Sequence, residues 1–130
     1  MREILFRGKR KGSGDWLCGD LRQWSEKRKG ICDYQQKRTI DVYPETVGQF
    51  TGMVDKNGTR IFDGDICRVR NGEDELIGCV DYDNRAALYI VKFGNHKCLL
   101  FLDFFLMHDH PNVWCEVIGN IHDNPELLEG

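Results

Sequence analysis

This chain of 130 residues carries no signature of a familiar enzyme. It has no G-x-S-x-G, no P-loop, no H-E-x-x-H and no dinucleotide fingerprint. Serine-elbow acyl transfer, P-loop phosphoryl transfer, zincin hydrolysis and Rossmann-type hydride transfer therefore have no basis in it. No two of its six cysteines form a C-x-x-C pair, so the spacing is wrong for zinc ribbons and fingers. Long apolar runs are missing too. The longest, Cys98 to Met107, is ten residues with Asp103 inside it, too short to span a membrane as a helix. The start, Met1-Arg2-Glu3-Ile4-Leu5-Phe6-Arg7, has no apolar core, so no export signal is expected. Without export, Cys18, Cys32, Cys67, Cys79, Cys98 and Cys115 are expected to stay reduced, as small buried hydrophobes. There are no repeats and no low-complexity tract.

What is present is a soluble, globular composition: 41% apolar and 30% charged residues, in a chain of one-domain length. The net charge is −3 and it is unevenly spread. Residues 1–38 hold eleven Lys/Arg against five Asp/Glu, giving +6, and residues 39–130 hold seven against sixteen, giving −9. Such a split marks either a basic arm on an acidic body or two halves that attract one another, within a chain or across an oligomer.

The stretch Val47 to Arg70 organises the rest. An apolar-rich run (Val47, Phe50, Met53, Val54) meets Asp55-Lys56-Asn57-Gly58. Asn57-Gly58 is a strong hairpin signal, because both residues tolerate the positive φ of a tight turn. Thr59 to Phe62 follows, then the turn Asp63-Gly64-Asp65, then Ile66 to Arg70. This reads as strand, turn, strand, turn, strand.

Either side of it the same grammar continues. Glu3 to Gly8 and Asp15 to Leu21 read as a hairpin about the basic turn Lys9-Arg10-Lys11-Gly12-Ser13-Gly14. Arg22 to Arg38 is polar and reads as a loop, with a short strand around Ile31 to Tyr34. Thr39 to Tyr43 resumes strand character and Pro44 ends it. Leu76 to Tyr82, Ala86 to Phe93 and Val113 to Ile121 read as further strands, the last with a bulge at Gly119-Asn120. Cys98 to Met107 is consistent with a buried strand or, from Asp103, a helical turn. Asn124-Pro125-Glu126-Leu127-Leu128 reads as a final helical turn with proline at its first position.

Gly48-Gln49-Phe50-Thr51-Gly52, Asp55-Lys56-Asn57-Gly58 and Ile61-Phe62-Asp63-Gly64-Asp65-Ile66 resemble the core motif of the YopX family. Arg2 to Arg7, Gly78 to Asp83, Glu116 to Ile121 and Asp123 to Leu128 agree in order and spacing, so the resemblance spans nearly the whole chain. It implies a small bacteriophage or prophage protein, in the cytoplasm of a bacterial host. It also implies a mostly-β fold with SH3-like barrel character. It carries over no catalytic residue. The expectation is therefore a single all-β domain over residues 1–130 with little helix. Residues 1–46 would form an N-terminal hairpin and basic loop. Residues 47–130 would form an SH3-like small barrel with a C-terminal turn.

Three clusters invite chemistry. His108-Asp109-His110 places two imidazoles on one face of a strand, but a third ligand such as His96 or His122 would have to come from the fold; solvated histidines and no metal are expected. Asp55 to Asp65 resembles a calcium loop, yet Arg60 stands where such a loop needs glycine and Ile66 where it needs a bidentate glutamate; the aspartates are read as turn formers. Asp63, Asp65, Asp81 and Asp83 show no spacing that sets up acid–base work. The N-terminal segment is the best functional hint. Lys9, Arg10, Lys11, Lys27, Arg28 and Lys29, with Trp16 and Trp24, are the candidate binding residues. The first expectation is a non-enzymatic protein-binding or assembly module, without cofactor, forming a homo-oligomer or meeting a phage or host protein. The alternative is a nucleic-acid-binding regulator, in which the cations neutralise phosphates and Phe6, Trp16, Trp24 and Tyr34 stack on bases.

Overall fold

The glycine-punctuated, β-branched runs become strands, as alternation predicts. The computed structural model describes residues 3–93, 99–101 and 111–129. Among these the chain is all-β, with two antiparallel sheets and only two short 3-10 turns, Pro44–Thr46 and Pro125–Leu128. No helix among the described residues is long and apolar enough to cross a membrane. The chain divides into two compact units, Met1–Gly52 and Met53–Gly130, each with its own core.

The first unit contains β1 (Phe6–Lys9), β2 (Trp16–Ser25), β3 (Arg28–Asp33) and β4 (Arg38–Val42). It also contains the start of β5 (Gly48–Val54), which runs through the boundary between the units. The strands lie in the order β4-β3-β2-β1-β5. Leu17, Ile31, Ile40 and Val42 are buried at its centre, with Phe6, Leu21 and Val47 packed against them. Each such side chain contributes roughly 1.5–3 kcal/mol relative to exposure. Gly19 lets β2 and β3 come close: a Cβ there would overlap the carbonyl oxygen of Cys32.

The polar stretch Arg22 to Arg38, expected to be a loop, is instead most of a three-stranded meander. Arg22 pairs with Gly30, Gln23 with Lys29, Leu21 with Ile31, and Ile31 in turn with Ile40. Only one face of these strands is covered, so the outward residues are polar and hide the alternation. The β2–β3 turn also lacks glycine, asparagine and proline, so it sends no turn signal.

The second unit contains β6 (Arg60–Phe62), β7 (Asp65–Asn71), β8 (Asp74–Asp83), β9 (Leu88–Lys92), β10 (Leu99–Phe101) and β11 (Val113–Asn120). Its sheet runs β10-β9-β8-β7-β11. Ile61, Cys67, Val69, Val80, Val91, Phe93 and Cys115 form its core. Among the described residues no pairing joins β10 to β11, so the sheet is open at both edges. The hairpin expected at Asn57-Gly58 is there: Asp55 and Thr59 close it, and Gly58 takes φ +82°. The bulge expected near Gly119 is there too, as a register shift between Val117 and Gly119. Leu99–Phe101 is strand; the rest of Cys98 to Met107 lies outside the described residues, as do His96 and His108 to His110.

Candidate interaction surface on the N-terminal unit

The candidate residues sit on β1, β2, β3 and the turns after β1 and β2, and pairing rather than sequence distance decides which meet. Val42, at the end of β4, is fully buried. On one side it pairs with Lys29 of β3; on the other it forms an isolated bridge to Arg10. Lys11 N–H donates to the Asp41 carbonyl at 3.2 Å and Tyr43 N–H to the Lys9 carbonyl at 2.8 Å, which fixes this return. Directly paired residues share a face. Arg10, Val42 and Lys29 are therefore in a row, the valine buried and the two cations beside it half-buried. Residues 9–11 and 27–29, eighteen apart in sequence, thus become neighbours. Glu26, Lys27, Lys29, Pro44 and Glu45 line an open depression of about 420 Å³ beside them.

Trp24 is the residue that a β-bulge turns outward. Gln23 pairs with Lys29 and Ser25 with Arg28, leaving Trp24 as the extra residue on β2. Bulges re-aim side chains in this way. The indole is 44% exposed. The Arg28 guanidinium lies 4.4 Å from its ring centre and also pairs with Asp41 at 3.4 Å. The ring's far edge covers Gly30, where a Cβ would stand 2.9 Å from Trp24 Cη2. Trp24 is thus an exposed aromatic held in one place by a cation and a glycine.

Trp16 does not join it. It pairs with Lys9 at the opposite end of β2, eight residues or up to about 27 Å from Trp24 at ~3.4 Å per residue. Its ring lies under the Arg7 guanidinium at 4.7 Å and near Lys9 Nζ at 5.7 Å. The N-terminal candidates therefore separate into a Trp16 group, a Trp24–Arg28 pair over Gly30 and Asp41, and, on the other face of β3 and β4, the row Arg10, Val42 and Lys29.

Tyr34 hydroxyl donates to Asp20 Oδ1 at 2.8 Å, and that bond, chiefly, holds its proton more tightly than a free phenol would. The pair is legible only once β2 and β3 are known to be strands. The Asp55 carboxylate was read as a turn former, and it does accept the N–H groups of Asn57 and Thr59, both at 2.9 Å; its other oxygen accepts Val117 N–H at 2.9 Å. Asp65, buried, accepts Phe62 N–H at 2.7 Å. These carboxylates cap backbone. Among the described residues no group of three His, Cys, Asp or Glu is placed to hold a metal ion.

Cys67 and Cys115 are fully buried thiols on neighbouring strands, and their mutual hydrogen bond, with burial, pushes Cys67 far above the ordinary thiol range. Burial likewise pushes Cys79 up to about 11. No disulfide joins the cysteines among the described residues; Cys67 and Cys115 are buried as expected, whereas Cys18, expected to be buried, is exposed because it stands on the outward side of β2. Charge follows the two units: residues 1–52 hold eleven Lys/Arg against seven Asp/Glu, +4, and residues 53–130 seven against fourteen, −7.

A family model described as YopX protein matches residues 5–129. No curated protein matches the chain. The crystal structure of protein EF1440 from Enterococcus faecalis is similar in fold, with a TM-score of 0.56 and 21% identity over 99% of this chain and 100% of that one. At that identity the likeness speaks to fold alone.

Proposed function

The chain belongs to the YopX family, and on that footing we propose that it is a non-enzymatic protein-binding or assembly module of phage or prophage origin, working in the bacterial cytoplasm. Its contact element is the β2–β3 hairpin, with Trp24 as the anchor. The observation that carries this reading is the fixed, exposed Trp24–Arg28 pair. Tryptophan and arginine dominate binding energy at protein interfaces, and an anchor already held in its bound rotamer loses little entropy on docking. The aromatic faces of Trp16 and Trp24 already carry cations. Each ring is thereby held for a partner to meet, with one face rather than two left for base stacking.

The second unit fits the reading as a scaffold. Its order β10-β9-β8-β7-β11, a meander whose last strand returns to its first, supports an SH3-like barrel as its full form. The partner is a second copy of the chain, and the opposite charges of the two units supply the attraction across copies.

Light scattering on the eluting protein, wild type beside Trp24→Ala, tests this. An oligomer that Trp24→Ala weakens about tenfold or more, with the circular dichroism unchanged, supports it. A wild-type monomer that instead co-elutes with single-stranded DNA at low salt would replace it with the nucleic-acid reading.

A further inference from the structure

Two surfaces of opposite charge have no ionic partner of their own. The first is the rim around Val42. Arg10 and Lys29 pair with Val42, Lys11 follows Arg10 and Lys27 lines the depression with Lys29; none of the four makes an ion pair among the described residues, whereas Arg28 is held by Asp41. Glu26 and Glu45 stand in the same depression as Lys27 and Lys29, which leaves the rim with two net positive charges from these six residues. The second is the tip of the β7–β8 hairpin. Asn71 pairs with Asp74 across it, Gly72 takes φ +71°, and the exposed Glu73 and Asp74 make no ion pair among the described residues. Glu75, one residue on, is already engaged by Arg68 at 3.3 Å and Arg70 at 4.0 Å.

We propose that these surfaces meet between copies: the Glu73–Asp74 tip of one chain seats on the Arg10/Lys11/Lys27/Lys29 rim of the next. The inference rests on the assembly reading above and names the two faces of the contact. A rim of mixed sign with two charges in excess matches a tip with two carboxylates. It matches a polyphosphate strand poorly, because Glu26 and Glu45 would face phosphates. The tip is an exposed hairpin turn, and Lys27 and Lys29 of the rim line an open depression. Trp24 and Arg28 lie on the same β2–β3 hairpin as Lys27 and Lys29, on the face opposite Lys29. Two copies that exchange tips close as a two-fold dimer, and copies that do not exchange them add head to tail. These charges attract across the contact and are screened by salt, so association weakens as salt is added, and reversing one face sets like charges against each other.

Charge reversal on the full chain tests it. The rim variant is Lys11→Glu with Lys29→Glu; the tip variant is Glu73→Lys with Asp74→Lys. Each alone is expected to lose self-association by at least about tenfold, and an equimolar mixture of the two is expected to recover a complex, because the reversed rim meets the reversed tip. Recovery also proves both variants folded. If neither variant alters an oligomer that Trp24→Ala dissolves, this pairing is wrong and the assembly reading stands. If wild type stays monomeric at every salt concentration, both fall. If the rim variant loses only DNA binding, the rim serves a polyanion and the pairing is again overturned.

Discussion

The Asp55 carboxylate accepts the backbone N–H of Val117 at 2.9 Å, joining a turn to a strand 62 residues away. Its other oxygen closes the turn through Asn57 and Thr59. One buried side chain therefore sets the β5–β6 turn and ties it to β11. Hydrogen bonds to a charged acceptor are stronger than neutral ones, and orphaned buried donors are costly. Asp55→Ala is expected to cost about 3 kcal/mol in urea unfolding, with Asp55→Asn losing less because one oxygen remains. An unchanged midpoint for Asp55→Ala would show that water replaces the carboxylate.

Gly19 sets the spacing of β2 and β3. Gly19→Ala is expected to destabilise the N-terminal unit by roughly 3 kcal/mol or more, because the added methyl must displace the Cys32 peptide rather than a flexible side chain. Thermal unfolding followed by indole fluorescence would register this as a lower or separate first transition.

Gly30 positions Trp24 without touching a partner. Gly30→Val is expected to push the indole off its seat between Gly30 and Arg28, raising its exposure to iodide or acrylamide quenching. Self-association should then fall as it does in Trp24→Ala. Retained association with a displaced indole would separate the anchor from the contact.

The thiols have an expected order of reaction. Cys18 is exposed and should alkylate first; buried Cys67 and Cys115 should react only after unfolding. Cys79, held up to about 11, should stay unmodified at pH 8.5 and begin to react as pH approaches that value. The sign follows from a folded value above the ordinary 9.0: the neutral thiol is the folded form, so its contribution to stability is whole below pH 9 and is lost as pH rises toward 11. Mass spectrometry of iodoacetamide-treated protein at stepped pH reads both.

Legibility differed between the two units for a physical reason. In the second unit, turns need positive φ and the sequence supplies Asn57-Gly58 and Gly64 for them, so strands could be placed from their punctuation. In the first, the β1–β2 turn is announced by Gly12 and Gly14, but the β2–β3 turn uses Glu26 and Lys27, the bulge at Trp24 breaks the alternation and the outward face is solvated, so nothing local announces the end of β2 or the start of β3. Charge alone distinguishes Lys9, Arg10, Lys11, Lys27, Arg28 and Lys29 in the sequence. That Arg10 and Lys29 flank one valine is a consequence of the β3–β4 register and the Arg10 bridge, which no local pattern encodes. Trp16 and Trp24 looked alike in the sequence, and pairing sent them to opposite ends of β2.

Sedimentation equilibrium of the wild-type protein over a dilution series, at about 50 mM and about 500 mM salt, tests the assembly claim most directly. Species heavier than the 15.1 kDa chain at low salt, dissociating on dilution and more readily at high salt, are the expected result. A single 15.1 kDa species at every concentration and both salts would contradict it.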